Sequence, residues 1–106
     1  MTTARRGSGP DLLRALRAKL RRDMPITKAL GLRVVGNEGG GLVLSSPLEP
    51  NINHKGTAFA GSLNATATLA GWGTIWLALR EHGIRSHVVI QDSTVHYFRP
   101  VTGDFT

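Results

Sequence analysis

Few side chains in this sequence have the type and spacing that catalytic or metal chemistry requires. The chain has no cysteine, which excludes a thiol nucleophile, a thiolate metal site and a disulfide scaffold. Ser62 lacks the Gly-x-Ser-x-Gly pattern and the recognisable His or Asp partner of a serine hydrolase. The histidines His54, His82, His87 and His96 lack the spacing of metal ligands. The sequence therefore predicts no metal site and no cofactor.

One pair of titratable residues shares a predicted strand face. Residues 87–99 alternate in the manner of a β-strand, and Asp92 and His96 lie four residues apart on the same side. Such a pair could transfer a proton. A strand histidine beside a polar neighbour is the simpler interpretation of this spacing.

A more distinctive group of polar and small residues leads into the longest uncharged stretch. Residues 51–56 form an irregular loop rich in side chains that bond the backbone, and residues 57–79 contain no charged side chain. Threonines, Asn64 and three glycines lower the hydrophobicity of this stretch below that of a membrane span. We therefore expect a soluble helix that a sheet buries on nearly every side, and no membrane partner.

The rest of the pattern predicts the sheet that would cover this helix. Residues 32–35 and 42–48 are β-type runs joined by a glycine-rich turn, which indicates a hairpin. Before them, residues 26–30 make one helical turn that Gly31 ends in a left-handed conformation. The run 87–99 predicts a long strand, and residues 101–106 predict the start of another.

The net charge of +6 resides in the first 22 residues, which hold seven basic side chains and one acid. Residues 1–9 are predicted to be a disordered leader, and residues 10–22 an amphipathic helix with leucines on one face. This helix either packs its leucines on the domain and leaves a solvated basic face, or docks an acidic or phosphate-bearing partner. We divide the chain into this basic leader and helix, residues 1–24, and a domain of residues 25–106.

The order of elements and three motifs resemble one known family. A hairpin, a long uncharged helix and a long strand form the opening of the α+β hotdog fold, in which an antiparallel sheet wraps around a long central helix. The motifs are PNINHKGTAFAGSL at residues 50–63, LAGWG at residues 69–73 and RPVTGDFT at residues 99–106. In combination they resemble the thioesterase family named for the C-terminal domain of YiiD. The resemblance covers residues 25–106.

Related hotdog thioesterases of the phenylacetate-pathway type carry the pattern Asn-x-x-Gly-x-x-His-Gly-Gly. Asn53, Gly56 and Gly61 match this pattern, whereas Phe59 and Ala60 replace its His and its first Gly. The resemblance implies that the helix start near Gly61 presents backbone N–H groups to a thioester carbonyl oxygen, and that Asn53 bonds the substrate or a water. The substrate-binding residues that it implies are Gly56, Thr57, Phe59, Ala60 and Ser62.

The chain departs from this pattern at the acidic residue of the central helix, whose position Thr68 occupies. A threonine is no base at neutral pH, and no Asp or Glu lies between positions 56 and 80. Hydrolysis of a thioester benefits from a general base. The base would then come from elsewhere, with Asp92, His54 and His96 as candidates.

Decarboxylation of a malonyl thioester is a reaction that needs no such base, because it requires an oxyanion site for the forming enolate and a dry pocket for the carboxylate. Members resembling this family have been assigned malonyl-acyl carrier protein decarboxylase activity with an Asn and a Thr as key polar groups. By motif position these correspond to Asn53 and Thr102. The catalytic residues that the resemblance implies are Asn53, Gly61, Thr68 and Thr102.

Three classes of function follow from these observations. The first is a cytoplasmic enzyme that acts on a small acyl thioester of coenzyme A or acyl carrier protein, as a homodimer or larger homo-oligomer. The second is a non-catalytic module that binds acyl thioesters. The third uses the leading helix on nucleic acid or a membrane, and we expect neither partner because the charge is confined to that helix.

The predicted strands are too few to enclose the central helix, which spans ~35 Å at 1.5 Å per residue. We therefore expect that later strands of the fold are missing from this chain, or that a neighbouring chain covers the helix and the open sheet edge. An isolated monomer is then expected to aggregate.

Overall fold

Leucine spacing in the first helix determines which of its faces is buried. The computed structural model describes residues 9–106, and helix α1 (Gly9–Asp23) buries Leu16 and Leu20 against the rest of the chain. The helix ends two residues before Pro25, which cannot continue it. The predicted amphipathic helix is confirmed, with its leucines packed on the domain. The predicted leader falls mainly on residues 1–8, outside the described residues.

A short second helix connects α1 to the sheet. Helix α2 (Ile26–Leu30) stops at Gly31, which has a φ of 66° and donates its N–H to the carbonyl oxygen of Lys28 at 3.0 Å. A positive φ is costly for any residue with a Cβ, so glycine is the natural stop here. This left-handed stop is confirmed as predicted.

The two strands form a hairpin with a two-residue turn. Strands β1 (Arg33–Glu38) and β2 (Gly41–Ser45) pair antiparallel, and Gly39 and Gly40 join them with φ values of 58° and 79°. Positive φ at both turn positions gives a twist that matches the twist of the strands. The predicted hairpin is confirmed, with β1 longer and β2 shorter than the predicted runs.

The long helix α3 (Ala60–Glu81) lies against β2, and α1 packs beside it. A side chain at Gly73 would overlap the end of Leu42, so this glycine allows the strand to approach the helix closely. Trp72 and Trp76 stack with their ring centroids 6.3 Å apart. The buried cluster consists of Leu16, Leu20, Leu42, Leu44, Trp72, Trp76 and Leu77. These elements confirm the predicted α+β class.

The expectation that α3 is buried on nearly every side is wrong for the described structure. Ile75, in the middle of the helix, remains 50% exposed, and Gly71 is also exposed. The sheet formed by residues 9–106 has two strands, and these cover one side of the helix. The uncharged part of this helix, residues 60–79, therefore keeps an open apolar face.

The prediction of a long strand at residues 87–99 is also wrong, because no strand within residues 9–106 pairs with this segment. An alternating sequence forms a ladder only where a neighbouring backbone supplies donors and acceptors. The segment is instead bonded to α3 through side chains, and the indole Nε1 of Trp72 donates to the carbonyl oxygen of Val88 at 2.7 Å. Phe98 is 89% exposed.

The last predicted strand, residues 101–106, is reduced to a single bridge. Phe105 and Ser46 exchange two backbone hydrogen bonds of 2.9 and 3.0 Å just beyond the end of β2. The carboxylate of Asp104 accepts the N–H of Leu48 at 2.7 Å. This end of the chain therefore returns to the loop that leads into α3.

Candidate active site

The start of α3 is positioned by a buried asparagine that sequence reasoning did not single out. Asn51 is 3% exposed, and its Nδ2 donates to the carbonyl oxygens of Leu30 at 2.8 Å and Pro47 at 2.7 Å. Its own carbonyl oxygen accepts the N–H of Phe59 at 2.7 Å. Asn51 thus links α2, the turn after β2 and the residue that precedes α3. In the sequence Asn51 is one of several polar residues in a loop, and that position does not reveal hydrogen-bond partners far away along the chain.

Asn53 organises the loop between Asn51 and the helix. Its Oδ1 accepts the N–H groups of Lys55 at 2.8 Å and Thr57 at 3.1 Å. Its Nδ2 donates to the hydroxyl of Thr57 at 2.9 Å and to the carbonyl oxygen of Ala58 at 3.4 Å. Gly56 completes the turn with a φ of 77°. Both ends of the Asn53 amide are therefore occupied by the loop, which gives this side chain a positioning role.

The helix begins with backbone donors that are left open. Phe59 has an extended backbone and its carbonyl oxygen accepts the N–H groups of both Ser62 at 3.0 Å and Leu63 at 3.1 Å. Within residues 9–106, the N–H groups of Ala60 and Gly61 have no hydrogen-bond acceptor, and no side chain caps the helix. These donors lie at the positive end of a 22-residue helix, where a developing negative charge is stabilised.

Phe59 forms an apolar wall beside these donors. Its ring lies so close to Gly61 that a Cβ at position 61 would overlap it, and Phe59 as a residue is 54% exposed. Ala60 and Gly61 are exposed, whereas the Ser62 side chain is buried against the fold. The helix start therefore combines free amides with an accessible apolar surface.

Thr68 and Thr102 are less closely tied to the helix start. Thr68 lies about 10 Å along α3 from Gly61, at 1.5 Å per residue, and its hydroxyl is 3.4 Å from Oδ1 of Asn64. Thr102 is exposed, and it follows Val101, whose carbonyl oxygen accepts the N–H of Ala58 at 2.8 Å. The structure therefore brings the backbone around Thr102 alongside the loop, and it places Thr68 at a separate position on the helix.

The residues considered as general bases do not converge. His96 stacks on Phe98 with ring centroids 6.2 Å apart, and no hydrogen bond or ion pair joins it to Asp92 in the described part of the chain. Asp92, His96 and His54 are all exposed. The proton-transfer pair suggested by strand spacing does not form, because the segment is not a strand.

Tyr97 is a residue near the site that sequence reasoning missed. Its hydroxyl donates to the carbonyl oxygen of Ala60 at 3.1 Å, although the two residues lie 37 positions apart. The sequence showed only an aromatic residue in an alternating run. The bond places a phenol at the first turn of α3.

Neither a metal cluster nor a membrane-spanning helix is found in residues 9–106. No three His, Asp or Glu side chains come together there in an arrangement that could hold a metal ion. None of the helices in that range has the length and apolar character needed to cross a bilayer.

Comparison with solved structures places the fold in a known class. The chain superimposes with a TM-score of 0.84 on a protein from Shewanella oneidensis described as a putative thioesterase, at 34% identity over 90% of this chain. A protein of unknown function from Chlorobaculum tepidum gives a TM-score of 0.88 at 35% identity over 92% of this chain. This chain spans 70% and 60% of the lengths of those two chains, respectively. The fold is that of the thioesterase-like hotdog proteins.

Family comparison then identifies the group within this class. The family model described as "Putative thioesterase (yiiD_Cterm)" matches residues 13–106. The chain belongs to this family. The match begins inside α1, the helix that buries Leu16 and Leu20 in the core of this chain.

Proposed function

We propose that this protein binds a small acyl thioester at the start of α3 and hydrolyses it. The observation that carries the proposal is the pair of open N–H groups at Ala60 and Gly61, beside the exposed ring of Phe59. The thioester carbonyl oxygen accepts one or both of these N–H groups, and the acyl chain lies against the ring. Membership of a family described as thioesterases supports this assignment.

The chemistry follows from where charge develops. Water attacks the carbonyl carbon, the carbonyl electrons move to oxygen, and the resulting oxyanion is stabilised by the amides and the helix dipole. The C–S bond then breaks as the carbonyl re-forms, and the proton lost by water ends on the leaving thiolate. One preorganised donor of this kind lowers the barrier by about 3 kcal/mol, which is roughly a hundredfold in rate.

The loop residues support this site mainly by fixing its shape. Asn53 and Thr57 hold the loop through their mutual hydrogen bonds, and Gly56 permits its turn. In this proposal Asn53 is a positioning residue, and its direct contact with substrate or water remains a prediction. Ser62 is a buried residue of the first turn of α3.

Malonyl decarboxylation is the alternative that a specific observation favours. Helix α3 has no acidic side chain before Arg80 that could act as a general base for hydrolysis. Asp92 and His96 do not pair in the described residues either. In decarboxylation the bond between the malonyl carboxylate and the adjacent carbon breaks, CO₂ leaves, and the electron pair forms an enolate whose oxygen takes the place of the oxyanion. The carbon is protonated afterwards. Thr102 is then a candidate contact for the carboxylate, and Thr68 a more distant polar group on the helix.

Product analysis distinguishes the two reactions. The protein is incubated with malonyl and short acyl thioesters of coenzyme A and of acyl carrier protein, and the products are separated. Free acid and free thiol indicate hydrolysis, whereas CO₂ and an acetyl thioester indicate decarboxylation. If folded protein forms neither set of products, both enzymatic proposals are contradicted. Tight acyl-thioester binding without turnover would then identify a binding module.

A further inference from the structure

A second concave surface lies between α1, α2 and β1, away from the candidate active-site residues. We call it the basic groove, and its volume is about 680 Å³. Four cationic side chains line it, and no acidic side chain does. The cations are Arg17, Arg21, Lys28 and Arg33. Leu20, Leu32 and Val34 supply apolar lining between these charges.

The charges of the basic groove are not neutralised by the protein. In the described range, the ion pairs of α1 join Arg14 to Asp11, and both Lys19 and Arg22 to Asp23. Hydrogen bonds from Arg22 and Lys19 lower the pKa of Asp23, which keeps that carboxyl ionised. The acids of the helix therefore pair with cations outside the basic groove.

A second groove of about 710 Å³ provides a comparison within the same molecule. It too has four cations, Lys19, Arg22, Arg80 and Arg85, but Asp23 pairs with the first two and Arg80 lies 4.8 Å above the Trp76 ring. Trp76, Arg80 and Gly83 also line it, which places it at the C-terminal end of α3. At 1.5 Å per residue, Arg80 lies roughly 30 Å along the helix from Ala60. We call this second groove the distal groove.

The basic groove is connected to the candidate active site. Leu30 directly precedes Gly31 of the groove wall, and its carbonyl oxygen accepts Nδ2 of Asn51. Asn51 in turn accepts the N–H of Phe59 at the start of α3. The Pro47 ring lies where a Cβ on Gly31 would approach it, and the carbonyl oxygen of Pro47 accepts a hydrogen bond from Nδ2 of Asn51. The hydrogen bonds of Asn51 therefore join the segment that forms the groove wall to the residue that precedes the open amides.

We infer that the basic groove binds the phosphate-bearing nucleotide end of a coenzyme A thioester. This inference rests on the proposed thioester function. Guanidinium groups bind phosphates through paired, charge-assisted hydrogen bonds, and the apolar lining offers a surface for the base. The volume falls in the range of small-molecule sites, whereas docking a carrier protein needs a broad surface of about 800 Å².

Neighbouring arginines on α1 provide a matched pair of variants. Arg21 lines the basic groove and Arg22 lines the distal groove, so Arg21→Gln and Arg22→Gln remove the same charge at adjacent positions. Binding of adenosine 3′,5′-bisphosphate is measured by calorimetry, with circular dichroism as a check on folding. We expect binding by the wild type, about tenfold weaker binding by Arg21→Gln, and less than a twofold change in Arg22→Gln. Absence of binding, or equal effects of the two variants, would overturn the inference.

Substrates with and without the nucleotide separate this inference from the proposed function. Arg21→Gln is expected to raise KM for an acyl-coenzyme A several-fold and to leave KM for the same acyl-pantetheine unchanged. Turnover of acyl-pantetheine without bisphosphate binding retains the thioesterase proposal and rejects the nucleotide site. Bisphosphate binding without turnover of any thioester retains the nucleotide site and rejects the thioesterase proposal. An Arg21-dependent KM seen only with acyl carrier protein substrates also rejects the nucleotide site.

Discussion

At the scale of single residues, the structure divides the motif of the candidate site into two kinds of residue. Asn51, Asn53 and Thr57 hold the backbone, because their polar side-chain atoms are bonded to the loop or to neighbouring elements. Ala60 and Gly61 present the donors that remain open. The chemistry that we propose therefore depends on main-chain groups, and the side chains around them set their position.

Replacing Ala60 by proline tests one of these donors directly. Proline suits the first position of a helix, and the φ of −67° and ψ of 132° at Phe59 suit the residue before a proline. Ala60→Pro therefore removes an N–H that bonds nothing in the described structure and leaves the helix intact. We expect kcat/KM for the thioester to fall about a hundredfold with little change in the melting temperature.

Ala60→Ser is the control for this variant, because it retains the backbone N–H at an exposed position. Its turnover is expected to stay within a few-fold of wild type. Full activity in folded Ala60→Pro would show that the Ala60 amide does not contact the reacting carbonyl.

At the scale of elements, the sequence predicted those features that local chemistry determines. The leucine face of α1, the stop at Gly31 and a hairpin with a glycine-rich turn follow from periodicity and from the positive φ angles that glycine allows. The long helix was predicted from the uncharged stretch at residues 57–79, and the site at its start near Gly61 was what the family resemblance implied. The bonds from Asn51 to Leu30 and from Tyr97 to Ala60 could not be predicted, because partners 21 and 37 positions away leave no local pattern.

The strand prediction for residues 87–99 shows a further limit. Alternation describes a segment that suits a sheet, but a ladder also needs a partner strand. No such partner lies within residues 9–106. The pairing of Asp92 with His96 was inferred from that strand, and it does not form because the strand does not form.

The packing of α3 on β2 gives a prediction at the same scale. Gly73→Ala introduces a methyl group where the Leu42 side chain lies, whereas Gly71→Ala adds one in open space on the same helix. Glycine is a poor helix former, so Gly71→Ala is expected to stabilise the fold by roughly 0.5–1 kcal/mol. Gly73→Ala is expected to destabilise it by roughly 1–2 kcal/mol, because buried Leu42 has little room to move.

Urea unfolding of the two variants beside the wild type measures this difference. The expected order of midpoints is Gly71→Ala above wild type and Gly73→Ala below it. Equal shifts for the two variants would mean that the strand does not approach the helix at Gly73.

At the scale of the whole molecule, the described chain leaves apolar surface open. Val89 and Phe98 are 83% and 89% exposed, and Ile75 of α3 is half-exposed. Unpaired backbone in a segment that also exposes apolar side chains is a template for association with another chain. We therefore propose that the protein self-associates through the region of residues 84–99.

Sedimentation velocity tests this proposal. Wild-type protein is expected to sediment as a dimer or larger species, and the double variant Val89→Lys with Phe98→Lys is expected to shift toward monomer. As a control, Arg14→Lys changes an exposed side chain of α1 and keeps its charge. A stable, soluble wild-type monomer at all concentrations would contradict the proposal.

The most direct test of the central claim is a crystal structure of the protein with a non-hydrolysable acyl-coenzyme A analogue. We predict that the oxygen standing for the thioester carbonyl lies about 2.7–3.1 Å from the backbone nitrogen of Ala60, Gly61 or both. The acyl chain is predicted to lie against Phe59. A bound analogue whose carbonyl oxygen contacts neither of these nitrogens would contradict the account.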